Sequence, residues 1–170
     1  MRNRINPLSL SLAIMVTVFI AAFILAQEAS AEQAGSFTGT WVANGKPQPF
    51  DFVEGREVGT FNLAGNVSLK VEFVGIKDFW AECIGLSDSV VGSSVRCVWR
   101  SLKGEKAFSV ISGQSLKEGV KMTGEFVGGT GSLKGVSGTF TFTWTYTFID
   151  KDQGTFTGYT NDLSGSYRIP

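Results

Sequence analysis

From Thr139 to Phe148 the chain reads TFTFTWTYTF, a threonine alternating with a large aromatic at every step. Successive side chains of a β-strand point to opposite faces. This spacing therefore sets Phe140, Phe142, Trp144, Tyr146 and Phe148 on one face and Thr139 to Thr147 on the other. A helix would scatter both kinds around its circumference and bury neither set cleanly. Burial of apolar area is worth roughly 25 cal/mol per Å², so all five rings are expected to face inward and the threonines outward. The same period of two runs through NVSLKVEFV, with Val67, Leu69, Val71 and Phe73 on one face and Ser68, Lys70 and Glu72 on the other. One face buried and one wet is the pattern of an antiparallel meander or barrel.

Nearly all of the chain after residue 31 follows this pattern. SFTGTWVA, GTFNLAG, NVSLKVEFVG, DFWAECIG, SVRCVWRSL, KAFSVISG, GVKMTGEFVGG, GTFTFTWTYTF, GTFTGYT and LSGSYRI are short, rich in β-branched and aromatic residues, and bounded by Gly, Asn, Asp or Ser. No stretch among them sustains a helical period. Glycines also stand within the segments, at Gly39, Gly59, Gly65, Gly124 and Gly138, where they commonly mark the bulges and bends that a curved sheet needs to close. The expected fold is all-β, an antiparallel barrel of about eight strands, with a two-sheet sandwich as the alternative. GKPQP, Gly45 to Pro49, reads as a proline-bearing loop.

The first residues place Arg2 and Arg4 ahead of an apolar run from Leu8 to Ala26, followed by Ala29-Ser30-Ala31. This is the arrangement of a signal peptide, a helical segment removed at a small-x-small site. Residues 1–31 are thus expected to be a signal peptide and 32–170 one β-barrel domain, secreted or periplasmic. The run is long enough that an uncleaved anchor is the other reading, and membrane contact is expected only in that case. Loss of Arg2, Arg4 and Glu28 turns a balance of 15 basic to 15 acidic residues into 13 to 14. A nearly neutral barrel with no basic stripe is not expected to bind nucleic acid.

Histidine is absent from the whole chain. That excludes His-based triads and His-ligated zinc or haem, and removes the side chain that most often moves protons near neutral pH. The carboxylates form no recognisable catalytic pair: Glu72, Glu82 and Glu125 alternate opposite apolar neighbours, and Asp150 and Asp152 lie in the turn IDKDQG. No metal and no cofactor are expected. The two cysteines stand in FWAECIG and VRCVWRS, where the alternation turns Cys83 and Cys97 toward the same side as Phe79, Ala81, Val95 and Trp99. In an exported chain such a pair is expected to be a disulfide.

GGTGSLKG, Gly128 to Gly135, has the glycine content of a phosphate-binding loop, but a strand pattern follows where such a loop opens a helix. It reads as a hairpin connection whose glycines take positive φ. Extended to Trp144, GGTGSLKGVSGTFTFTW resembles the glycine-rich hairpin of the allene oxide cyclase and dirigent barrel families, with Leu133, Gly135 and Gly138 in the places of the aliphatic, small and second glycine positions. Together with CIGLSDSVVGSSVRCVW, it also resembles small exported bacterial proteins that carry this hairpin. The resemblance implies an eight-stranded calycin-like barrel with a central cavity, in families that act on apolar or phenolic small molecules and often form trimers. None of those families' catalytic residues matches a position here. Gly39-Thr40-Trp41 is similar to the Gly-x-Trp that opens the first strand of lipocalin-like and avidin barrels, a likeness that implies an arginine late in the chain, here Arg168, packed on the tryptophan.

The functional expectation is a noncatalytic small-molecule-binding or structural module. Trp144, Tyr146 and Trp99 would border a cavity for an apolar or aromatic compound. An isomerase or cyclase acting in that cavity is the alternative, and a homo-oligomer formed through the outer strands is a third expectation.

Overall fold

The structure, a computed structural model, describes residues 32–116 and 119–170. The expected signal helix, residues 1–31, lies outside the described residues. Eight strands, β1 (Gln33–Val53), β2 (Arg56–Val71), β3 (Gly75–Asp88), β4 (Gly92–Ser101), β5 (Lys106–Leu116), β6 (Gly119–Gly129), β7 (Ser137–Asp150) and β8 (Thr155–Ile169), run in order around a closed antiparallel barrel in which β8 pairs back onto β1. The only helical element among the described residues is a 3-10 turn, Gly131–Leu133. Barrel, strand number and antiparallel pairing are those the alternation implies. Ten segments become eight strands because GTFNLAG and NVSLKVEFVG form one continuous β2, and GTFTGYT and LSGSYRI one continuous β8.

GKPQP is not a loop. It lies inside β1, with Pro47 opposite Phe61 and Pro49 opposite Gly59 on β2. The pairing of β1 with β8 ends at Gly45 and Phe156. Beyond that point one side of β1 is a free edge, where a residue without an N–H leaves no ladder bond unmade. The β6–β7 connection is the expected glycine hairpin, with positive φ at Gly128, Gly131, Gly135 and Gly138.

On β8 a bulge falls between Thr160 and Leu163, which face Trp41 and Gly39 of β1. Asp162, in that bulge, accepts the backbone N–H of Thr143 at 2.8 Å, in a gap of the β7–β8 ladder, and the hydroxyl of Thr160 at 2.5 Å. Burial alone would raise this carboxyl, but those hydrogen bonds hold it below its ordinary value.

In a meander, alternate connections lie at opposite ends. The connections after β2, β4 and β6, together with Glu32 and Pro170, form what is called here the terminal end; those after β1, β3, β5 and β7 form the opposite end. Two aromatic expectations fail, one at each end. Phe73 does not continue the buried row of β2: the strand stops at Val71, and Phe73 takes φ 60° in the turn with its ring fully exposed. Phe148 is 61% exposed and Tyr146 47% exposed. A register shift between Tyr146 and Phe148 breaks the alternation there, and β7 has run past the packed interior.

Cys83 and Cys97 are bonded. They stand directly opposite one another on β3 and β4, with Cα atoms 4.1 Å apart, and both are buried. A disulfide is compatible with an extracytoplasmic location. Residues 32–170 form one compact unit with a closed sheet, and its core among the described residues comes from the eight strands together with Val136 of the β6–β7 connection.

Two predictions follow from these locks. Cys83→Ala/Cys97→Ala is expected to lose about 3 kcal/mol of stability in denaturant titration, the chain-entropy value for a loop of this length. Non-reducing mass measurement of the parent should find both thiols oxidised. At the opposite end, Arg56 donates through Nε to both Asp88 oxygens at 3.1 Å, while Asp88 also accepts the N–H groups of Val90 and Val91. The Arg56 guanidinium, with those N–H groups, holds the Asp88 carboxyl well below the usual range. A depressed carboxyl stabilises the fold above its unfolded pKa of about 3.9, and that stabilisation is lost as pH falls below it. Urea titrations at neutral pH and near pH 2 should therefore show a smaller acid loss in Asp88→Asn than in the parent.

Candidate functional site

The inward positions of β1, β4, β6 and β7 assemble the rings that the sequence singles out. Trp41 sits among three others, with ring centroids 5.8 Å from Trp99, 5.6 Å from Phe142 and 5.5 Å from Trp144. Trp99 in turn meets Phe126 at 5.5 Å and Phe140 at 5.4 Å, and those two lie 4.9 Å apart. Most of these contacts are tilted or edge-to-face, the arrangements favoured by the ring quadrupole. Glycines across the strands make room for the rings: a Cβ at Gly158 would fall 2.6 Å from the Trp144 indole, and one at Gly124 2.3 Å from the Phe140 ring. Trp41, Trp99, Phe140, Phe142 and Trp144 are all at most 5% exposed. The lumen is occupied by side chains.

The structure brings Trp99 and Trp144 together through Trp41, and sets Tyr146 apart at the rim of the opposite end, its ring 5.5 Å from Phe156. Partial burial pushes the Tyr146 phenol above its ordinary pKa. Within the lumen, the Trp99 Nε1–H donates to Ser109 Oγ at 2.8 Å. The Trp41 Nε1 is equally buried and has no hydrogen-bond partner. Arg168 does not pack on Trp41: it stands opposite Ala34 at the terminal end, paired with Glu32 at 2.7 Å, whereas Trp41 is opposite Thr160. Ser109 and Thr160 are the buried polar side chains among the described residues, and neither ionises.

A hollow of about 630 Å³ lies along Asn44–Lys46, Asn62–Ala64, Glu82–Ile84 and Thr155–Thr157, on the contiguous strands β1, β2, β3 and β8. Its lining includes the exposed, outward-facing Asn44, Lys46, Asn62, Glu82 and Ile84, so it opens on the outer wall of the barrel. Its walls are mixed: Leu63, Ala64, Ile84 and Phe156 line it beside polar groups, where Thr157 donates to Asn44 Oδ1 at 2.6 Å and the Asn62 side chain accepts the Lys46 N–H at 3.1 Å. No group of three or more Cys, Asp or Glu side chains among the described residues is placed to hold a metal ion.

Sequence reading did not single out Ser109 or the groove. Ser109 carried a signal, since it interrupts the inward row of Ala107 and Ile111 with a hydroxyl. The groove had none, because its shape depends on how four strands coil against one another. No protein-family model, no curated protein and no solved structure matches the chain.

Truncating Trp144 to Ala should cost about 3–5 kcal/mol through the void it leaves. Ser109→Ala, which orphans the Trp99 N–H, should cost about 1–3 kcal/mol. Both are read by chemical denaturation, and parent-like stability in Trp144→Ala would mean that the space around it is already empty.

Proposed function

We propose that the protein is an exported, noncatalytic binding or structural module built on a barrel of the allene oxide cyclase and dirigent kind, and that it works through its outer surface. The observation that carries this reading is the filled lumen, where Trp41, Trp99, Phe142 and Trp144 occupy the space that a substrate of those families would take. Cyclisation or isomerisation in the lumen would call for inward acids, bases or oriented donors. Among the described residues the buried polar groups are the Trp99–Ser109 pair, Thr160 and the unpartnered Trp41 Nε1 and Ser101 Oγ. The closed eight-strand meander and the glycine hairpin at β6–β7 support the family assignment. The apolar start of the sequence and the disulfide support export.

Native mass spectrometry of protein purified from its own host tests this reading. The expected spectrum contains the disulfide-bonded polypeptide with no small molecule held in the lumen, and any retained compound should be displaced by filling the outer groove with Asn62→Trp. A stoichiometric compound that survives Asn62→Trp but is lost in a folded Trp144→Ala variant would overturn the reading and place the ligand among the rings.

A further inference from the structure

The terminal end of the barrel exposes large apolar side chains on neighbouring loops. Phe73 is 100% exposed, Leu102 93%, Ile76 71% and Val74 52%. The first and last of these lie in the β2–β3 connection, Ile76 at the start of β3, and Leu102 in the β4–β5 connection. Phe73 has φ 60°, a left-handed conformation that a side chain of this size rarely adopts and glycine adopts freely. The fold gains no packing from the ring, so the chain keeps a bulky apolar group in an unfavourable backbone position to hold it out in solvent. Such departures from local preference concentrate where a surface has work outside the fold.

The same end is basic. Lys70, Lys77, Lys103, Lys106 and Lys134 all lie there, and none is in an ion pair among the described residues, whereas Arg168 is paired with Glu32. The acidic residues at this end are fewer: Glu32, paired with Arg168, Asp78, Glu105, and Glu72, which is bonded to the Ser36 hydroxyl. Glu105 accepts the Ser132 N–H; that bond, helped by Lys103 and Lys77, keeps its carboxyl below the ordinary range. β3 pairs with β4 at Phe79 and Ser101, so the β2–β3 and β4–β5 connections leave the barrel from neighbouring strands. At the opposite end the exposed rings Phe50, Phe52 and Phe148 stand among Asp51, Glu54, Glu57, Asp150 and Asp152, with Lys151 between the last two and Arg56, paired with Asp88, over Phe52. A nearly neutral chain is therefore polarised along the barrel, with one end suited to an anionic surface and the other repelled by it.

We propose that the terminal end is a docking surface for an anionic lipid bilayer, with Phe73, Val74, Ile76 and Leu102 entering the acyl boundary and the surrounding lysines meeting headgroup phosphates. Shallow apolar insertion and basic attraction are the two signals that together hold a peripheral protein on a membrane. Docking of this kind does not require the N-terminal segment to remain attached.

The test uses the Glu32–Pro170 unit and sedimentation with vesicles of phosphatidylcholine, with and without phosphatidylglycerol. Binding is expected on the anionic vesicles, weak on phosphatidylcholine alone, and reduced by salt. Phe73→Gly/Leu102→Ser should weaken it by about tenfold or more through lost apolar insertion. The melting temperature should hold or rise, because glycine relieves the left-handed turn. Lys77→Ala and Lys103→Ala should each weaken binding by roughly fivefold. Failure to bind anionic vesicles, or binding that Phe73→Gly/Leu102→Ser leaves unchanged, would overturn the proposal. So would self-association in sedimentation velocity that the same double substitution abolishes while vesicle binding persists, since these side chains would then belong to a contact between two copies.

Discussion

The pairing of β8 with β1 is the contact on which the rest of the structure depends. β1 is bonded to β2 along one side and to β8 along the other as far as Gly45. This closure leaves the body of the sheet without an edge and gives every inward side chain a neighbour across the lumen. Without it, Trp41 would lose Trp99, Phe142 and Trp144 together, because those contacts span the barrel and do not follow neighbouring strands. The packing then acts back on the closure: an eight-stranded barrel has an interior just wide enough for side chains, and here aromatics opposite glycines fill it.

Irregularities in the sheet are each matched to a local compensation. The β8 bulge costs a ladder bond, and the Asp162 carboxylate supplies the missing acceptor for Thr143. Prolines fall on the part of β1 that has lost its β8 partner. Where the hairpin of β1 and β2 extends past the barrel body, Arg56 fastens it to Asp88 at the end of β3 and lies 5.2 Å over the Phe52 ring. Phe73 is the exception, a left-handed aromatic whose ring is fully exposed.

Much of the barrel was legible in the sequence because period-two hydrophobicity needs no long-range knowledge. Val67, Leu69, Ala81, Cys83, Val95, Cys97, Trp99, Phe140, Phe142 and Trp144 all face inward, as their alternation implies, and the disulfide follows from two of those positions. What failed did so where tertiary geometry ends the pattern. Tyr146 and Phe148 continue the aromatic alternation in sequence, but β7 shifts register and outruns the core there. GKPQP looks like a break because proline removes a donor, and only the position of β1 at a local edge makes that harmless. Of the residues expected to line a cavity, Trp99 and Trp144 meet through Trp41 while Tyr146 stands at the rim. Within the barrel body the alternation shows which rings point inward, but whether they touch or enclose space depends on barrel radius and on glycines in the neighbouring strands.

The central claim is that the lumen of this closed barrel is packed with rings in mutual contact. Proton NMR with assigned aromatic resonances tests it most directly. The account predicts cross-relaxation peaks from the Trp41 indole to Trp99, Phe142 and Trp144. Absence of those peaks in the folded protein, with the Trp41 and Trp99 indole N–H protons exchanging freely with water, would contradict it.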